Sequence, residues 1–431
     1  MSVFYTLAIR VFGLLAWIAA RFKHAARLWV EGRRDWHRRL RADIKESKNL
    51  VWFHAASLGE FEQGRPIMER VRELYPDHPV LLTFFSPSGY EVRKDYEGAD
   101  YVHYLPLDTP GNARKFLETA QPKLALFIRY EYWYNFLRAM FRRDIPVVMV
   151  SAIFRKDQLF FKPYGRWSRE TLGGISHFFV QNQESLELLD SIGIRNTTLS
   201  GDTRFDRVWE AAQEKREFPL VERFIADKIC LVAGSTWPFD DQLLKEIVPA
   251  FPELRFVIVP HHVDEGNIRR ITDLFQGLAA LYSWGDDQDL TGRQVLVVDT
   301  IGMLTYLYRL ADLTYVGDGF GAGIHSILEP AAFGMPIFFG PNYQNFQEAV
   351  DLVERKGVFA VRDQEELTQV IRHFADDERA RQEVGQICRD YIKEKRGATD
   401  SVMMGLREFL GEPGVPQGSG VRDQGSGPSP A

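Results

Sequence analysis

The chain has little cysteine, no excess of positive charge, and no long apolar run beyond its first residues. Its two cysteines, Cys230 and Cys388, stand far apart, which excludes a disulfide framework and fits reduced thiols in a cytosol-facing protein. No Cys/His grouping has the spacing of a zinc site. The formal net charge is −6, so no global basic field points to nucleic acid. No Walker-type phosphate loop occurs, and no D-x-D pair stands out at an expected strand end as a metal clamp. Apolar residues, by contrast, are plentiful. At 45% hydrophobic and 13% aromatic, the 431 residues can fill the cores of two domains of ordinary size.

The one long apolar run is Val3 to Ala20, in which Thr6, Arg10 and Gly13 fall on one helical stripe. It is near the minimum for spanning a bilayer, and Arg10 near its middle opposes insertion. The basic residues follow the run rather than precede it, and no small-residue cleavage site ends it, which argues against a cleaved signal peptide. Arg21, Lys23, Arg27, Arg33, Arg34, Arg38, Arg39 and Arg41 would keep that side cytoplasmic and attract anionic lipid headgroups. The expectation is a membrane anchor over residues 1–22, either a short span or a helix lying in the interface, followed by a basic segment, 23–48. The alternative is a buried core helix.

Strand-like and helix-like stretches then alternate at short spacing, which predicts parallel sheets covered by helices on both faces. Strands are expected at 50–54, 79–85, 101–105, 124–128, 145–150, 177–180 and 197–200, and again at 229–233, 255–259, 295–298, 313–316 and 337–339. Chemistry-bearing residues collect just after several of them. Glu60 stands where the loop Ala55–Gly59 meets a helix, as either a helix-terminus charge or a general base. The cluster Arg129-Tyr130-Glu131-Tyr132-Trp133-Tyr134-Asn135 follows another strand. In the second half, Pro260-His261-His262 and the loop Asp299 to Leu304 follow strands; the loop offers backbone N–H groups at a helix start.

The densest such stretch is Tyr315 to Ala349. An apolar strand leads into Gly317, Gly319, Gly321 and Gly323, and a helix is expected from about His325 through Phe333 with Glu329 one turn in. Such a loop suits a nucleotide, with glycines admitting a ligand to the backbone and Glu329 on ribose hydroxyls; an ordinary strand–loop–helix crossover reads equally well from the pattern.

Five motifs recur in one order: H-A-A-S-L-G-E (54–60), E-Y-W-Y-N (131–135), G-D-T-R-F-D (201–206), D-T-I-G-M-L (299–304) and H-S-I-L-E-P-A-A (325–332). With the apolar amino terminus and G-P-N-Y-Q-N-F (340–346), they make the chain resemble the bacterial 3-deoxy-D-manno-octulosonic acid (Kdo) transferases of lipid A biosynthesis, to about residue 405. The resemblance implies an α/β chain of GT-B architecture, two Rossmann-like domains facing across a cleft. It implies an inverting glycosyltransferase that moves Kdo from CMP-Kdo to the lipid A precursor lipid IVA, at the cytoplasmic face of the inner membrane. Glu60 matches the family's catalytic base, Glu131 its second carboxylate and Arg204 a basic residue that supports transition-state charge. Pro260, His261, Ile301, Gly302, Met303 and Ser326 through Glu329 (Ser326, Ile327, Leu328, Glu329) match its donor-binding positions. Arg204 replaces a lysine, His261 an arginine and Ser326 an asparagine; Arg129 and Tyr134 also depart from the pattern. No metal or cofactor is expected, because helix N-termini and Arg204 can meet the phosphate charge.

The expected division is an acceptor domain over 49–217, a CMP-sugar-binding domain over 218–410 and a disordered tail over 411–431. Two other readings stay open: a GT-B enzyme using a UDP-sugar, and a membrane-associated binding protein without turnover.

Overall fold

The computed structural model describes residues 2–45 and 48–413. The expected tail lies outside them from residue 414 onward. The chain forms two compact units.

The first unit runs to Thr203 and resumes at Gly397. Its sheet has seven strands: β1 Val51–Ala55, β2 Val80–Phe84, β3 Tyr101–Tyr104, β4 Leu124–Ile128, β5 Val147–Ala152, β6 His177–Val180 and β7 Thr197–Leu199. They lie in the order β3-β2-β1-β4-β5-β6-β7, all parallel. Strands β1, β2, β4 and β5 are buried throughout, as near-continuous apolar runs covered on both faces must be. The helix Leu58–Leu74 crosses one face closely because Gly64 has no side chain; a Cβ there would meet Ile128 Cδ1 at 2.8 Å. Trp52, Phe116, Phe127 and Phe136 pack as a ring cluster on the other face.

The second unit, Arg204–Arg396, repeats the design. Its strands are β8 Cys230–Thr236, β9 Arg255–Pro260, β10 Ala279–Leu281, β11 Val295–Val297, β12 Leu313–Val316, β13 Ile337–Phe339 and β14 Val358–Ala360. The order is β10-β11-β9-β8-β12-β13-β14, again all parallel. The edge strands β10 and β14, three residues each, carry too few apolar residues to be seen in the sequence.

The boundary differs from the expected 217/218 and 410. The helix Thr203–Gln213 belongs to the second unit, where Phe205 and Val208 pack with Ile392 and Tyr391. The helix Ala398–Leu410 returns to the first, burying Val402, Met403 and Leu406 against the face that holds Ile67 and Val71. Apolar faces, not the charged stretch 210–217, settle where each helix belongs.

The amino-terminal helix, Ser2–Ala19, docks on the first unit through Tyr5, Thr6 and Gly13, while Arg10, on the same stripe as Thr6 and Gly13, stays exposed. Tyr5 Oη donates to Asp108 Oδ2 at 2.7 Å, Asn135 Nδ2 to Thr6 Oγ1 at 3.3 Å, and Gly13 lies against Leu107. Its outer side leaves Phe4, Val11, Leu14 and Leu15 exposed. Among the described residues no helix is long and apolar enough to cross a membrane. One member of the expected lipid-attracting run turns inward. Arg33 donates to the carbonyls of Leu105, Trp29 and Phe85 and stacks over the Trp29 ring, and burial pulls its pKa down to about 9.

Candidate active site

In open parallel sheets, ligands bind beyond the carboxyl ends of the strands, where the strand order reverses. Those points are β1/β4 in the first sheet and β8/β12 in the second. The residues singled out from the sequence collect around both.

In the first unit, β1 ends at Ala55 and the loop turns into the helix Leu58–Leu74, with Glu60 in its first turn. Glu60 is half-buried and accepts a hydrogen bond from Ser57 Oγ. A carboxylate there is favoured by the helix dipole and remains open to a substrate hydroxyl. Glu131 follows β4, its side chain 12% exposed. It is held by Trp133, whose indole N–H lies 2.6 Å from Glu131 Oε2 and 2.9 Å from His54 Nε2. His54, the fourth residue of β1, is fully buried; its Nδ1 faces the carbonyl of Thr83 at 3.1 Å and Thr83 Oγ1 at 2.8 Å. The tautomer that fits carries the proton on Nδ1, donating to the carbonyl, so that Nε2 accepts from Trp133. Phe85 packs on the indole at 4.6 Å between ring centres.

The backbone here is under tension. Arg129, beside Glu131, has φ +64, and its buried Nε has no partner among the described residues. Ser151 at the end of β5, Ser235 near the end of β8 and Asp318 after β12 also have positive φ. Non-glycine residues avoid this region, and its recurrence at strand ends marks loops fixed by their surroundings, as in sites shaped for a ligand.

In the second unit, Pro260 ends β9, and His261 donates its backbone N–H to Thr236 O at 3.0 Å. Its ring stacks over two others that lie side by side. Trp237 stacks at 4.9 Å and 16°, His325 at 4.6 Å and 24°, and Trp237 Nε1 donates to His325 Nε2 at 3.0 Å. The ends of β8, β9 and β12 thus share one aromatic platform. Burial, helped by the neighbouring imidazoles of His325 and His262, holds the His261 imidazole below its usual pKa, and burial does the same to His325. Buried Asp240 accepts from the backbone N–H of Trp237 and of Asp318 and from Tyr315 Oη, joining the β8 and β12 loops. Burial raises its pKa.

The glycine-rich loop serves the chain itself as well as any ligand. A Cβ on Gly317 would meet Ser235 O at 2.3 Å, and one on Gly319 the backbone N of Gly340 at 2.4 Å. The helix after it begins at Leu328, not His325, because His325 N–H is drawn to Gly317 O and Ile324 N–H to Asn342 O. Glu329 therefore sits in the first turn, where Ser326 Oγ donates to it. Ile327 and Leu328 are fully buried in the core, so their side chains face no ligand. Ile301 is 81% exposed, Gly302 has φ +89, and Met303 precedes a helix of only four residues, Leu304–Leu307. Arg204 donates to Glu348 Oε1 at 3.2 Å, within the second unit.

Sequence reading missed Trp133, His54, Trp237 and His325 as site members, although His54, Trp133 and His325 lie inside the recurring motifs. Their signal was a polar aromatic beside a strand end, common in cores as well. Among the described residues no group of three or more His, Cys, Asp or Glu is arranged to hold a metal ion.

Known proteins agree with this picture. The family model of 3-deoxy-D-manno-octulosonic-acid transferase (kdotransferase) matches residues 34–207. A 3-deoxy-D-manno-octulosonic acid transferase of Bordetella pertussis is 27% identical, covering 94% of this chain and 99% of that one. The Aquifex aeolicus protein of the same name is 28% identical over 75% and 85%, and that of Haemophilus influenzae 26% over 84% and 87%. Among solved structures, UDP-GlcNAc 2-epimerase from Neisseria meningitidis covers 83% of this chain and all of its own with a TM-score of 0.59 at 18% identity. A putative UDP-N-acetylglucosamine 2-epimerase from Listeria monocytogenes gives 0.58 at 12%, over 85% and 98%. These two show the shared fold, a GT-B-type pair of Rossmann-like units. Motifs, switch-point carboxylates and relatives converge: over most of its length the chain is similar to 3-deoxy-D-manno-octulosonic acid transferases, which supports a Kdo glycosyltransferase.

Proposed function

We propose that the protein transfers Kdo from CMP-Kdo to lipid IVA with inversion at the anomeric carbon. The observation that carries this reading is the pair of carboxylates at the β1/β4 switch point: Glu60 open in a helix first turn, and Glu131 locked by Trp133. Glu60 takes the proton from the acceptor hydroxyl as its oxygen bonds to the anomeric carbon of Kdo. The bond from that carbon to the CMP phosphate oxygen breaks, and CMP leaves with its charge. Glu131, on the same unit, supports the positive charge that develops on the sugar ring. Arg204, its charge partly met by Glu348, supports the departing phosphate. The nucleotide is taken up by the second unit at the Trp237–His261–His325 platform, with Glu329 on the ribose. Metal is not required for turnover.

The protein works at the cytoplasmic face of the inner membrane, with the exposed apolar side of the amino-terminal helix in the interface and its basic surroundings on anionic lipid. The test is transfer from CMP-Kdo, generated in situ, to lipid IVA, read by mass spectrometry for wild type and Glu60→Gln. A product heavier by one or more Kdo units with wild type alone is expected. No product with CMP binding intact would point to another acceptor; tighter competition by UDP than by CMP would overturn the donor. Loss of turnover in EDTA would overturn metal independence.

A further inference from the structure

The amino-terminal helix carries a single charge, Arg10, in its otherwise apolar sequence. Such a cation is costly at membrane depth unless it has somewhere else to go. The structure supplies the place. Val3, Thr6, Leu7 and Arg10 share one helical stripe, which forms a wall of a cavity of about 660 Å³. The facing wall carries Arg114 from the helix Pro110–Ala120, Arg138 from the helix Tyr134–Phe141, and Arg142 and Arg143 just beyond it.

The cavity wall contains no carboxylate residue. Glu118, outside it, lies 3.9 Å from Arg114 Nε and 3.7 Å from an Arg143 nitrogen. Arg138 donates to Tyr134 Oη and Arg143 to the Ala139 carbonyl, both neutral. Arg10 and Arg142 make no side-chain hydrogen bond or ion pair among the described residues. Five guanidinium groups around one cavity, with Glu118 at its edge as the one carboxylate paired with them among the described residues, are an arrangement that takes a phosphate, because each planar fork matches two phosphate oxygens. Phe4, Val11 and Leu14 leave an apolar strip exposed on the same helix, which a soluble phosphate would not cover.

We infer that this cavity seats the phosphate of an anionic membrane lipid, whose acyl chains run along the exposed side of the amino-terminal helix. Arg10 then extends its apolar stem along the helix and its guanidinium into the headgroup. This inference rests on the membrane-surface reading above and gives it a specific site, distinct from the basic run at residues 21–41.

The test uses the full chain and sedimentation with vesicles of phosphatidylcholine alone or mixed with phosphatidic acid. Wild type should bind the mixed vesicles more tightly. Arg10→Gln/Arg142→Gln should reduce that binding at least about tenfold more than the control pair Arg38→Gln/Arg41→Gln, which loses only roughly fivefold per arginine of long-range attraction. Equal losses in the two pairs would overturn the site in favour of diffuse charge. Equal wild-type binding to both vesicles would overturn it while leaving the membrane reading intact; binding to neither would overturn both. Protection from thermal unfolding by inorganic phosphate, lost in the cavity pair and unmatched by any vesicle preference, would reassign the cavity to a free anion.

Discussion

Trp133 hands its indole N–H to Glu131 at 2.6 Å, across only two residues of sequence. The turn that makes this possible begins at Arg129, in a left-handed conformation. Trp133→Phe keeps the ring against Phe85 and removes the donor. A hydrogen bond to a charged group contributes about 1.5–3 kcal/mol, so kcat for Kdo transfer should fall roughly 10- to 100-fold. The KM for CMP-Kdo should hold, since the residues proposed to bind it lie on the other unit. Steady-state kinetics separates the two; a raised KM with unchanged kcat would sink the positioning role.

His261 makes the second unit acid-sensitive. Its folded pKa lies below the ordinary 6.5, so the unfolded chain takes the proton first. Its contribution to stability is complete above pH 6.5 and declines as pH falls toward the lowered folded value. Denaturant unfolding at pH 7.5 and 5.5 should show a smaller acid loss for His261→Gln than for wild type. A larger loss in the variant would contradict the assignment.

Asp108 ties the amino-terminal helix to the first unit. It accepts from Tyr5 and from the backbone N–H groups of Asn135 and Phe136, capping the helix Tyr134–Phe141 from a distance. Asp108→Ala leaves these donors unpaired, at a cost of about 2–3 kcal/mol, and should speed proteolysis near residues 2–19. Burial raises the Asp108 pKa from 3.8 to about 6. Its titration therefore adds stability in full below pH 3.8, and that part is lost as pH rises through about 6. Asp108→Asn should lack this component; an unchanged pH profile between 4 and 7 would count against it.

Gly319→Ala drives a Cβ into the Gly340 backbone, where no flexible side chain can yield. A loss of about 1–3 kcal/mol is expected, from overpacking. Gly321→Ala clashes with the Asp318 side chain and meets the Asp318 carbonyl only at ordinary contact distance, so it should cost less. Thermal unfolding of the two variants ranks them, and the reverse order would show that the glycines serve the loop's conformation rather than its close packing.

The alternation of strands and helices was legible because parallel strands buried on both faces must be apolar runs, as in Leu124–Ile128 and Val147–Ala152. The edge strands Ala279–Leu281 and Val358–Ala360 were not, being too short to stand out from loop. The late start of the helix at Leu328 depended on Gly317 O and Asn342 O, acceptors brought in by other segments. Glu60, Glu131, Arg204 and Glu329 were singled out from motifs, because their residue types and order carry the resemblance even where local pattern leaves each one ambiguous.

The amino-acid order alone determined the α/β class, the two-unit plan, the resemblance to Kdo transferases and the carboxylates at the strand ends, since these follow from local periodicity and from short contiguous motifs. Only the tertiary structure decided that Trp133 bridges His54 and Glu131, that Arg33 turns inward, that Ile327 and Leu328 belong to the core, and that Arg10 joins Arg142 across one cavity. Those relationships depend on which strands become neighbours and which helix face is buried. Both are settled by the packing of residues far apart in sequence, and no local pattern encodes them.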